Sequence, residues 1–370
     1  MIFLWGEWDG EEYNVPFDIL YRIVLRRILH KACCFSMNGM HGRVQCSISI
    51  AMATYNGANY LSEQLNSFLL QTRLPDELVV CDDASSDSTV SIIEEFALRA
   101  PFEVRLIKNK QNLGYIRNFE KALSLCQGDL IFLSDQDDVW FPEKVCYIEK
   151  FFLKDAARLL VIHDGKLVDE KLNWHGATKL GQVLFGGADR ESFITGALSV
   201  LHKDLKPYVL PIPTNVAALD DFGHDGWIHF MARLLGVREV VDMPLQLIRR
   251  HSSNTSASVI SSVRKINRLF VFRSQLKVSP AYSYLDRIHL NEALQNRLKG
   301  IQSNRSNTFS PETIKKSLDY LTAEHRAITN RSALLKCGFF VRKYNAFLML
   351  MHGDYLYFNE FKSFMRDLFR

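Results

Sequence analysis

Between residues 47 and 152 the chain alternates short apolar runs with longer amphipathic stretches. The runs at 47–53, 77–82, 104–108 and 129–133 are rich in Val, Ile, Leu and Phe and read as buried strands. Stretches near 59–71, 87–98, 114–125 and 142–152 carry apolar residues at helical spacing. Asp87-Ser88-Thr89 supplies N-cap chemistry for the second of these helices. Strands that alternate with helices predict a parallel, doubly wound α/β sheet. A further strand, Leu159 to His163, ends in Asp164-Gly165. Residues 165 to 192 carry several glycines and read as loop, and 193 to 200 read as strand-like. A helix opening near Asp220 runs to Leu235 with Gly236 as its C-cap. A last strand is expected at 237–241, a Ser-rich linker at 252–262 and a mostly helical region from 263 to 370.

Polar residues gather where the strands end. Ser134-Asp135-Gln136-Asp137-Asp138-Val139-Trp140 follows directly on the run Asp129 to Leu133. Ligands of open α/β sheets bind outside the C-terminal ends of the strands. Asp135 and Asp137 form a D-x-D pair, and two carboxylates so spaced on a turn can converge on one hard cation, Mg²⁺ or Mn²⁺. A helix-capping acidic turn before Pro142 is the plainer reading of the same residues. The first strand ends in Thr54-Tyr55-Asn56-Gly57 and the second in Asp82-Asp83-Ala84-Ser85-Ser86-Asp87. Asn109 to Asn118 forms a turn that opens another helix.

Composition narrows the class. The 370 residues suit one large α/β domain with a smaller appendage, and 47% hydrophobic residues exclude global disorder. A net charge of +4 gives no case for nucleic-acid binding. Seven scattered cysteines without a C-x-x-C pair predict free thiols in a reducing, cytoplasmic setting, with Cys81 in the core. No run of about eighteen apolar residues occurs, so no transmembrane helix is expected, nor is a signal peptide.

Taken together, the four motifs resemble the family 2 glycosyltransferases, which have the GT-A nucleotide-sugar fold. The D-Q-D-D-V-W form resembles the rhamnosyltransferase-like branch. The resemblance spans about residues 45 to 255 and implies a mostly parallel central sheet with flanking helices, followed by a C-terminal helical region. The corresponding division is an extension over 1–43, a catalytic domain over 44–258 and helices over 259–370. It further implies an inverting transferase that uses a divalent metal, a nucleoside-diphosphate sugar and a glycan or lipid-linked acceptor. The branch points to surface polysaccharide assembly, with rhamnose as donor sugar. A nucleotidyltransferase and a non-catalytic sugar-nucleotide-binding protein are the alternatives. The first usually has a Gly-rich basic loop after its first strand, for which Thr54 to Gly57 is poor. The second is expected to lose the D-x-D or the base.

The resemblance also distributes roles. Thr54, Tyr55 and Asn56 lie where the family holds the nucleotide, and Asp82 or Asp83 bonds the base or ribose, with Asp83 the solvent-facing member. Asp137 is the direct metal ligand, Asp135 contacts the metal or the ribose, and Asp138 either orients the loop or touches the donor. Arg250 falls on the diphosphate and His251 on the metal. Thr195, Gly196 and Trp227 fall on the acceptor side. Asp225, in His224-Asp225-Gly226-Trp227, matches the catalytic base, with Asp220 and Asp221 as rivals. Gly226 departs from the family, where an aromatic is common at that place.

Two further segments have amphipathic character. Phe17, Leu20, Tyr21, Val24 and Ile28 share a helical face flanked by Arg22, Arg26, Arg27 and Lys31. They suit either an anionic membrane surface or simple packing, unless translation starts at Met37 or Met40. The aromatic-rich C-terminal region suits either a helical cap or peripheral contact with the cytoplasmic face of the inner membrane.

Overall fold

The computed structural model describes residues 45–214, 216, 218–252, 263, 280–303, 308–358 and 360–369. The readings of residues 1–43, of a start at Met37 or Met40 and of the linker core 253–262 lie outside the described residues.

Four parallel strands form the first half of the sheet. They are β1 (Ile48–Thr54), β2 (Glu77–Asp82), β3 (Glu103–Lys108) and β4 (Leu130–Ser134), in the order β3-β2-β1-β4. β2 and β4 are buried along their whole length, as parallel strands covered on both faces must be. Side chains alternate between the two faces. Ile48, Ile50, Met52, Leu78, Val80, Leu130 and Phe132 face one cluster, which α1 (Ala58–Leu69) fills with Leu61, Leu65 and Phe68. α2 (Thr89–Arg99) adds Ile93 and Phe96 to it. Ala51, Val79, Cys81, Ile131 and Leu133 face the other cluster, under α3 (Tyr115–Leu125).

The second half of the sheet is mixed. β5 (Val139–Trp140) leads into α4 (Lys144–Lys154). β6 (Leu160–Val168), β7 (Trp174–Thr178), α5 (Lys179–Phe185), β8 (Ser199–His202), α6 (Lys206–Val209), α7 (Ala218–Leu234) and β9 (Arg238–Arg249) follow. β8 runs antiparallel between β4 and β6, while β9 lies parallel to β6 and antiparallel to β5.

The expected loop 165–192 therefore contains a hairpin and a helix. Its glycines do not break the strand, because Gly165 sits inside β6 where a Cβ would lie 2.7 Å from the Ile248 side chain. Residues 193–200 are not one strand, since a 3₁₀ turn at Gly196–Leu198 precedes β8. The last strand does not stop at Val241. It continues to Arg249 through Pro244, where the register with β6 shifts and so tolerates a residue without an N–H.

Four helices close the described chain: α8 (Pro280–Ser303), α9 (Pro311–Leu334), α10 (Phe339–Met351) and α11 (Glu360–Phe369). Leu290, Leu294, Leu298, Ile314 and Leu321 share one cluster with Trp227 and Met231 of α7, so α8 and α9 extend the hydrophobic core on that face of the sheet. Leu334, Ala346, Met349, Tyr355 and Phe364 form a separate small cluster. Among the described residues no helix is long and apolar enough to cross a membrane.

Candidate active site

The strand register brings the motif loops together. Thr54 pairs with Asp82, and Met52 with Ser134, so the polar ends of β1, β2 and β4 lie at one level. The chain winds outward from β1 to β3 and then returns to β4 on the other side of β1. The site thus lies at the point where the strand order reverses.

The loop after β1 is clamped from two sides. Gln136 accepts from the Tyr55 N–H at 2.9 Å and donates to the Tyr55 carbonyl at 3.1 Å. Asn56 takes a left-handed conformation (φ 46°), and its Oδ1 accepts from the Ser86 N–H at 2.9 Å. A Cβ on Gly57 would lie 2.2 Å from the end of the Gln136 side chain, so a larger residue there would push Gln136 off Tyr55. Thr54 is buried and donates to Asp82 at 3.0 Å, while the Tyr55 side chain is exposed.

Asp82 and Asp83 are both buried, which corrects the expectation that Asp83 faces solvent. Asp82 accepts from the Ser85 N–H at 2.9 Å and the Ser85 hydroxyl at 2.6 Å. Asp83 accepts from Asn109 Nδ2 at 2.9 Å and from the N–H groups of Leu113 and Gly114 at 2.8 and 2.9 Å. These hydrogen bonds tie the loops after β2 and β3 together. Asp87 bridges two helix starts, accepting from Thr89 N in α2 at 3.0 Å and from Ala58 N in α1 at 3.1 Å.

Three carboxylates of the acidic loop, Asp135, Asp137 and Asp138, place ligand atoms within 4.8 Å of one another. Their positions differ in kind. Asp138 is buried, and its two oxygens accept from Gln246 Nε2 at 2.6 Å and from the Arg249 N–H at 3.1 Å. It holds the loop to β9. Asp137 Oδ2 lies 2.8 Å from His251 Nε2, and the His251 ring stacks beside Tyr60 at 4.6 Å. Burial and the carboxylates of Asp137 and Asp225 push the Asp135 carboxyl up to about 7, against the opposing cations Lys144 and Arg250. Acid groups that repel one another in this way, with an imidazole at their edge, fit a divalent cation.

Asp225 begins the second segment of α7. Gly223 breaks the helix with φ 66° and ψ −173°, so the helical turn restarts at the motif. Asp225 Oδ2 accepts from the Gly196 N–H at 3.0 Å and Oδ1 from the Gly226 N–H at 3.0 Å. A Cβ on Gly196 would lie 2.8 Å from His224 Nε2 and 3.5 Å from Asp225 Cβ. His224 is buried against Phe119 (4.2 Å between rings), without a hydrogen-bond partner at either ring nitrogen among the described residues. Burial lowers its pKa and keeps it neutral. Thr195 donates to the Ile194 carbonyl at 2.6 Å. Trp227 does not face an acceptor. It is fully buried and donates to the Val209 carbonyl at 2.8 Å, so it belongs to the core. The side chains of Asp220 and Asp221 lie outside the described residues.

Several site residues escape a reading of motifs. Lys144 is buried, with Nζ 2.5 Å from Gln246 Oε1 and 3.6 Å from the centre of the Trp140 ring. It completes a chain from Lys144 through Gln246 to Asp138. A lysine in the first turn of a helix opposes the helix dipole, and this was the signal available in the sequence. Arg249 is buried and donates to the Asp137 carbonyl at 2.9 Å, while its guanidinium pairs with Glu63 and lies 4.7 Å from the Tyr60 ring centre. Burial, with the charge of Arg250 adding to it, lowers Lys179 to about 8, against the opposing charge of Asp225. Lys179 opens α5, far in sequence from every motif.

Residues 49–199 match the model of glycosyl transferase family 2. These residues form a family 2 glycosyltransferase domain. The transferase is 27% identical over 240 residues to the dTDP-rhamnosyl transferase RfbG of Shigella flexneri, which covers 60% of this chain and 80% of that protein. It is 28% identical over 229 residues to an uncharacterized protein of Mycobacterium tuberculosis, Rv1520, covering 59% of this chain and 63% of the relative. The chain thus spans just under two thirds of that second relative. Among solved structures, the crystal structure of S. aureus TarS 1-349 in complex with UDP aligns at 16% identity, with a TM-score of 0.48 over 79% of this chain and 75% of that one. The family match and the order of strands and helices identify the transferase as a glycosyltransferase of GT-A fold with a helical C-terminal region.

Proposed function

We propose that this transferase moves a sugar, rhamnose, from a nucleoside-diphosphate donor to a glycan or lipid-linked acceptor, with inversion at the anomeric carbon. The observation that carries this reading is the cluster of Asp135 and Asp137 at the end of β4, with Asp225, seated on the Gly196 and Gly226 N–H groups, near enough for its charge to add to the burial and the Asp137 charge that raise Asp135. One carboxylate group serves the leaving diphosphate and another serves the incoming hydroxyl. Asp225 takes the acceptor's proton as the hydroxyl oxygen attacks the anomeric carbon and the bond to the diphosphate breaks. Two backbone N–H groups fix its carboxylate for that task.

Asp137, Asp135 and His251 would hold the divalent ion, Mg²⁺ or Mn²⁺, which when bound offsets charge on the leaving diphosphate. Arg250 and Lys179 supply cations from the protein itself. Thr54, Tyr55, Asn56 and the Asp82–Asp83 loop cradle the nucleotide, with Asp82 and Asp83 acting through loop shape and Tyr55 offering an exposed ring to the base. Thr195 and Gly196 border the acceptor side. The S. flexneri relative, by name a dTDP-rhamnosyl transferase, supports rhamnose as the sugar, while surface polysaccharide assembly at the cytoplasmic face of the inner membrane rests on the resemblance of the D-Q-D-D-V-W motif.

A panel of nucleoside-diphosphate sugars, assayed with and without Mn²⁺ for release of the diphosphate nucleotide, tests the reading. Metal-dependent release from dTDP-rhamnose above all other donors is the expected result. A product that retains the donor's anomeric configuration would overturn the mechanism.

A further inference from the structure

The helix α10 is apolar on the face it turns away from the protein. Ala346 and Met349 point into the small C-terminal cluster. Phe340, Tyr344, Phe347 and Met351 lie on the opposite stripe and are 84%, 65%, 55% and 69% exposed. Phe339 and Val341 widen that surface, and Leu356, just beyond the helix, is also exposed. Large apolar side chains gathered in this way mark a contact surface, whereas single exposed ones do not.

Charge selects the partner. Residues 337 to 353 contain Arg342, Lys343 and His352 and no acidic residue. Lys343 Nζ lies 4.1 Å from the Phe339 ring centre, at the edge of the apolar stripe. Two nearby acids of the described residues face inward. Asp354 is buried and accepts from Asn330 at 2.9 Å, and Asp367 is buried and pairs with Arg331 at 2.8 Å. Among the described residues the surface therefore combines exposed aromatics with a basic margin, and its two acids are turned inward. A second copy of the chain meeting this face symmetrically would set the same cations against each other. At thirteen residues the helix is too short to span a bilayer and suits one lying in its plane.

We propose that α10 docks this transferase on an anionic lipid bilayer, with Phe340, Tyr344, Phe347 and Met351 inserted at the level of the headgroups and Lys343 on anionic lipid. The contact does not depend on which sugar is transferred. Full-length protein is mixed with phosphatidylcholine vesicles, with or without phosphatidylglycerol, at low and high salt, and sedimented. Wild type should sediment with the anionic vesicles and be partly released by salt. The double variant Phe340→Ser/Phe347→Ser should lose at least about tenfold in vesicle affinity. Its nucleotide release with a soluble acceptor should stay unchanged, which shows that it folds. Lys343→Gln should weaken the preference for anionic lipid. Wild type remaining in the supernatant in every condition overturns the proposal, as does a double variant that binds like wild type. Gel filtration separates the remaining case: a wild-type dimer that the double variant dissociates, without vesicle binding, assigns the face to a second copy instead.

Discussion

His251 Nε2 lies 2.8 Å from Asp137 Oδ2, although 114 residues separate them. The contact joins the acidic loop after β4 to the end of β9, and Tyr60 stacks beside the imidazole to hold its plane. A metal held at Asp137 would therefore be sensitive to His251. The variant Asp137→Asn should fold normally, because the residue sits on a loop, and should lose about 100-fold or more in turnover. His251→Ala should weaken Mn²⁺ binding by roughly 10- to 100-fold with a smaller loss at saturating metal. Metal titrations of nucleotide release check both. Near-normal turnover of Asp137→Asn without metal would remove the assignment.

The base makes a different demand. Asp225→Asn should lower turnover by about 10²- to 10⁴-fold and leave donor binding close to wild type, since the residue acts on the acceptor's proton. Binding measured by calorimetry and turnover measured by nucleotide release separate the two effects. A fully active Asp225→Asn beside a dead Asp221→Asn would move the role to Asp221.

Gly196→Ala tests the seating of that base. The new Cβ would fall 2.8 Å from His224 Nε2, and the imidazole is packed against Phe119 and has nowhere to retreat. Turnover should fall while thermal stability drops by about 1–3 kcal/mol, the usual cost of overpacking. A Gly196→Ala variant with full activity and stability would show that the loop takes a Cβ beside His224 without unseating Asp225.

The acidic loop also sets a pH response. The Asp135 carboxyl is raised to about 7, above an unfolded value of about 3.9. In the native protein it therefore binds a proton that the unfolded chain has lost. Its contribution to stability is present below pH ~4 and is lost as pH rises toward 7. The metal-free protein should melt at a lower temperature at pH 7 than at pH 5 through this group, and Mn²⁺ should reverse the difference. Metal affinity should run the opposite way and fall as pH drops below about 7. Thermal scans and Mn²⁺ titrations at the same pH values check both, and a pH-independent affinity between 5 and 8 would contradict the site.

Trp227 belongs to stability. Trp227→Ala removes a fully buried ring and the donor to the Val209 carbonyl, and should cost about 3–5 kcal/mol in urea unfolding. An acceptor contact would instead show as a raised KM with little loss of stability.

Periodicity and composition were enough to place β1 to β4, the helices between them and the acidic loop at the end of β4. Both signals are local, because a strand buried on two faces must be apolar along its length and a ligand-bearing turn must be polar. The local pattern misled where tertiary packing replaced a local rule. Pro244 ends a strand in most contexts, but here β9 passes through it because the register with β6 shifts at that point. Glycines suggested a loop after residue 164, but Gly165 lies within β6 against Ile248.

The sequence by itself determined which loops carry carboxylates and at which strand ends they stand. Only the tertiary structure decided what each of those carboxylates faces. Asp82, Asp83 and Asp138 accept hydrogen bonds from partners on other strands and loops, whereas Asp135 and Asp137 stand beside another acid and a histidine. The placement of Asp225 on Gly196, and of Lys144 beneath Asp138 through Gln246, was settled in the same way. A residue's type fixes how many hydrogen bonds it can make, but the fold fixes who makes them, and those partners lie up to 114 residues away, as for Asp137 and His251.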